Sequence, residues 1–67
     1  MELMQAYMLM DDPEAAPMFG VEVTVETMIE AARMMAANPA TLMAAPGRVG
    51  RNVEAMLNEY TDVEEDF

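Results

Sequence analysis

A small single α+β domain, in which a short N-terminal β-hairpin supports two amphipathic helices, is the fold class that three features of this 67-residue chain predict. Residues 24–38 and 52–67 carry apolar side chains at the 3.6-residue period of a helix face, and residues 18–23 alternate around two β-branched valines. A small all-helical bundle is the alternative. The choice turns on the N-terminal twelve residues, MELMQAYMLMDD, which fit either period.

In that segment Leu3, Met4, Tyr7, Met8 and Asp11 suit a helix, whereas Leu3, Gln5, Tyr7 and Leu9 against Met4, Ala6, Met8 and Met10 give two strand faces. Propensity leans toward helix. The strand expected at residues 18–23 nevertheless needs a pairing partner. Residues 5–10 are the sequence-local candidate, across a DDPEAAP loop broken by Pro13 and Pro17. That requirement favours the hairpin.

The stretch TVETMIEAARMMAAN that follows reads as one helix. Thr24 is a favoured N-cap, Glu26 and Glu30 place negative charge toward the N-terminus, and Asn38 before Pro39 supplies a stop. Val25, Met28, Ile29, Ala32, Met35 and Ala36 define its expected core face. Asn38 and Pro39 then open one or two further helical turns that Pro46-Gly47 ends, and residues 47–51, GRVGR, read as a basic connector. Asn52 is the expected N-cap of the last helix. On it Val53, Met56, Leu57, Tyr60, Val63 and Phe67 share an apolar stripe interrupted by Glu64. Glu54, Glu59, Asp62, Glu65 and Asp66 cover the opposite arc.

Composition bounds what such a domain does. A chain this short has a thin core, and without cysteine or histidine it lacks the disulfides and the commonest metal ligand of small folds. A hydrophobic fraction of 54% therefore points to apolar surface covered by a second copy or another protein. Thirteen acids against three arginines give a net charge of −10, which excludes direct binding to nucleic acid or to an anionic membrane surface and favours a basic protein partner. No apolar run is long enough to span a bilayer, and the acidic N-terminus lacks the positive region of a secretory signal, so a cytoplasmic location is expected.

Few residues suggest chemistry. The ten methionines superficially match thioether copper spacings, but with no histidine or cysteine to complete a site they read as filling for an irregular core or an adaptable interface. Asp11, Asp12 and Glu14 lack the glycine turn and distal glutamate of a calcium loop. Serine is absent and no nucleophile, cofactor motif or metal motif stands out, so the chain reads as non-enzymatic. The expected partner surface is the acidic face of Glu54, Glu59, Asp62, Glu65 and Asp66, flanked by apolar Met56 and Tyr60, with Arg48 and Arg51 as the basic contacts. A row of carboxylates can occupy a groove built for phosphates. By analogy of size and charge with short acidic proteins of phage and mobile elements, the chain is read as an inhibitor that blocks the basic nucleic-acid-binding surface of a larger complex. The alternative is a methionine-rich structural subunit of a homo-oligomer or multi-chain complex.

Overall fold

The computed structural model describes the backbone of residues 1–65 and the side chains of residues 1–60. It is a small helical bundle: α1 (Leu3–Asp11), α2 (Val25–Ala36), α3 (Pro39–Ala44) and α4 (Gly47–Glu65), with a 3₁₀ turn at Ala16–Phe19 between α1 and α2. The expected α+β class is thereby corrected, since there is no strand and no β-hairpin among the described residues. Helices α1, α2 and α4 each pack on the other two, and α3 bridges α2 and α4.

Within residues 1–12, Leu3–Asp11 are helical for reasons local to them. Glu2 and Gln5 form a reciprocal capping box, in which the Glu2 N–H donates to Gln5 Oε1 over 2.8 Å, and the interior is built from good helix formers. Ala6, Leu9 and Met10 are fully buried, with Leu3 half-buried one turn earlier, so the core stripe runs through an alanine. The hairpin's second strand is also absent. Pro17 and buried Ala16 set up the 3₁₀ turn, Gly20 ends it with φ at 78°, and its N–H donates back to the Pro17 carbonyl over 3.1 Å. A positive φ is cheap only for glycine, which is why the alternation stops there. Val21 then inserts into the core while Val23 remains outside.

Helix α2 starts where expected. Thr24 Oγ1 accepts from the Thr27 N–H at 3.1 Å, and Thr27 Oγ1 accepts from the Thr24 N–H at 2.8 Å. Of the expected face Ala32 and Met35 are fully buried and Met28 packs against the core, but Ala31, outside that face, is fully buried too, whereas Val25 is exposed and Ala36 faces solvent. Ile29 is half-buried beside Glu26, Glu30 and Arg33, away from the core cluster. The helix has rolled toward its small residues. Asn38, at the N-cap position of α3, makes no cap bond and turns instead to the end of α2, its Nδ2 donating to the Met34 carbonyl over 2.7 Å. It satisfies one of the carbonyls a helix end leaves open.

The expected GRVGR connector is the first turn and a half of α4. Val49 and Val53 are buried, and Met56, Leu57 and Tyr60 follow on the same stripe half-buried. Asn52 therefore lies inside the helix and caps nothing at its start. Val63 and Phe67 of the expected stripe lie outside the side chains described.

Two substitutions test this packing by denaturant and thermal melts. Leu9→Ala, which truncates a fully buried side chain, is expected to cost about 2–5 kcal/mol. Gly50→Ala is expected to stabilise the fold by about 1 kcal/mol, raising Tm by about 4–8 °C, because Gly50 is in the helix interior and a Cβ there meets nothing within 4 Å. A neutral or lower Tm for Gly50→Ala contradicts a helical residue 50.

Candidate protein-binding surface

Buried Val49 and Val53 set the roll of α4, and that roll decides which of its side chains meet solvent. Arg51, Glu54, Ala55, Asn58 and Glu59 are exposed. At 100° per residue, Glu54 and Glu59 are separated by about 140° around the helix, with Ala55 and Asn58 between them. They sit on opposite flanks. Glu54 borders the groove that α4 forms with Ala36 and Leu42, while Glu59 borders a crevice against Pro13 and Met28. Arg51 shares the outer face with Glu54, Ala55 and Asn58, so the acidic arc opens on a cation. Asp62 and Glu65 are on α4 beyond the described side chains, and Asp66 lies outside the described residues.

The two arginines have different surroundings. Arg48 Nε donates to Asp11 Oδ1 at 2.6 Å, and this hydrogen bond and the carboxylate's charge raise the guanidinium pKa above its ordinary value. Asp11 ends α1, where a negative charge opposes the helix dipole, and Arg48 compensates it. One turn along, Asn52 Nδ2 donates to the Met10 carbonyl over 2.6 Å, filling an acceptor at the same helix end. The start of α4 is thus tied to the end of α1. Arg51 has no carboxylate partner among the described residues. Of the apolar contacts expected, Met56 lines the Glu59 crevice and Tyr60 is half-buried one turn further on.

The crevice joins parts of the sequence that reasoning along the chain kept apart. Leu9, Met10 and Pro13 from the α1 end line it with Asn52, Ala55, Met56 and Glu59 of α4. Pro13 stands between exposed Asp12 and Glu14, and Glu14 N–H is turned onto Asp12 Oδ1 at 3.2 Å. The acidic turn and the Glu59 flank therefore border one feature. Residue spacing could not show this, because the contact depends on how α1 crosses α4.

The methionines divide by environment. Met10 and Met35 are fully buried, Met8, Met28, Met34 and Met56 are half-buried, and Met1, Met4, Met18 and Met43 face solvent. Among the described residues no three acidic side chains gather closely enough to hold a metal ion, and no helix is long and apolar enough to cross a membrane. Comparison of the chain with protein-family models, with curated proteins and with solved structures finds no match.

The tie between α4 and α1 is testable in isolation. Asn52→Asp keeps the shape but replaces the donor with a carboxylate facing the Met10 carbonyl, and is expected to lower stability by about 1–2 kcal/mol in urea titrations. An unchanged midpoint means that Asn52 does not cap α1.

Proposed function

We propose that this chain is a non-enzymatic, acidic protein-interaction module that blocks a basic nucleic-acid-binding surface of a larger complex by presenting carboxylates where phosphates would bind. The observation that supports it best is the fixed roll of α4, which turns Glu54 and Glu59 to solvent on a regular helix while the net charge of the chain stands at −10. Asp12 and Glu14, beside the Glu59 flank, extend the negative surface beyond α4. Half-buried Met56 and Tyr60 on the same helix supply apolar contact area, and Arg51 gives the surface one positive point of register.

A second reading is supported by the exposure of Met4, Met18 and Met43. In it the chain is a methionine-rich subunit whose adaptable side chains are covered in a homo-oligomer or multi-chain assembly, and the acids serve solubility.

One experiment separates them. The tagged chain is used to capture partners from its host, and captured partners are challenged with duplex DNA and with salt. The inhibitor reading expects a basic nucleic-acid-binding partner that DNA displaces and that binds more weakly as salt screens charge over a Debye length of about 8 Å. Joint replacement of Glu54, Glu59, Asp62 and Glu65 by lysine is expected to abolish capture while leaving helicity intact. Recovery of self-copies alone, or of partners without a nucleic-acid role, removes the inhibitor reading and favours the assembly subunit.

A further inference from the structure

Among the described residues, the connection between α1 and α2 together with the first residue of α2 exposes more large apolar side chain than any other segment. Met18 is 84% exposed, Phe19 65%, Val25 52% and Val23 41%, all within eight residues of a chain whose core is short of bulk. Water is a poor neighbour for a phenyl ring and a thioether, and surface of this kind on a small protein marks contact with something else.

The segment is held in place. Ala16 and Val21 are buried on either side of the exposed pair. The Met18 N–H donates to the Ala15 carbonyl at 3.0 Å, the Val21 N–H to the Ala16 carbonyl at 3.2 Å, and Thr27 Oγ1 reaches the Glu22 carbonyl at 2.8 Å. Met18 and Phe19 are therefore displayed on a tightened turn, and the backbone that carries them is already ordered before they are covered.

Charge selects the occupant. Glu22 and Glu26, which alternate with these apolar residues along the chain, are exposed, and no lysine or arginine occurs from residue 12 to residue 32. A second copy would bring the same acids against them. We propose that residues 18–25 are a docking surface for a different protein, one that offers an apolar pocket rimmed by lysine or arginine, with Phe19 and Met18 as the anchors. This surface is separate from the acidic flanks of α4, so either assignment can fail without the other.

An amphipathic helical peptide of leucine and lysine is the probe, with a leucine and glutamate peptide of the same pattern as control. Titrated into the ¹⁵N-labelled full chain, the lysine peptide is expected to give saturable shifts centred on the amides of residues 16–26. The double variant Met18→Ser, Phe19→Ser, both positions being exposed, is expected to keep the parent's circular dichroism and melt while weakening binding about tenfold or more. The glutamate peptide should not bind, and replacing Glu54, Glu59, Asp62 and Glu65 by lysine should leave the shifts at residues 16–26 in place. Shifts confined to α4, equal binding of both peptides, or unchanged affinity in the serine variant overturns the proposal. So does sedimentation showing a dimer of the parent that the serine variant dissolves, which assigns the surface to a second copy.

Discussion

The close packing of α1 on α2 is the contact on which the other placements depend. Ala6 on one helix and Ala31 and Ala32 on the other are fully buried, and side chains this small let helix backbones approach where larger ones would hold them apart. Alanine also gives up no rotamer freedom on burial, which matters in a domain with neither disulfide nor metal to offset the entropy of folding. Leu9, Met10, Met35 and Val49 then fill the volume left around these contacts, with no buried polar side chain among the described residues. Because Val49 belongs to α4, the same cluster fixes that helix as well.

The start of α4 shows how tertiary bonds override local preference. Two glycines within its first four residues weaken a helix, yet Arg48 and Asn52 reach Asp11 and Met10 at the end of α1 only if that stretch is helical. Each partner supplies what the other lacks. The end of α1 gains a cation and a donor for an open carbonyl, and α4 gains the anchoring its glycines deny it.

What was legible in the sequence follows from the same physics. Thr24, Pro39 and the Val53, Met56, Leu57, Tyr60 stripe act within a turn or two of themselves, and they marked helices where helices stand. Residues 1–12 misled because the buried stripe passes through Ala6, which a hydrophobicity pattern barely registers, and because Val21 and Val23 suggested a strand in need of a partner. On α2, Ile29 drew the expected face toward itself, whereas the core takes Ala31 in its place. At the candidate site the exposure of Glu54 and Glu59 was readable, but their adjacency to different grooves was not. That depends on Leu42 lying beside one flank of α4 and Pro13 beside the other.

The graded burial of the methionines also gives the molecule a built-in chemical clock. A peroxide meets the thioethers of Met4, Met18 and Met43 directly, while those of Met10 and Met35 are sealed until the bundle opens. Sulfoxide at the solvent-facing positions therefore accumulates at a rate set by the oxidant. Sulfoxide at the two sealed ones accumulates more slowly, by the fraction of time the bundle is open, and each such event puts a polar group where the helices meet. Oxidation of the first kind alters a surface, and oxidation of the second kind weakens the core against reclosing.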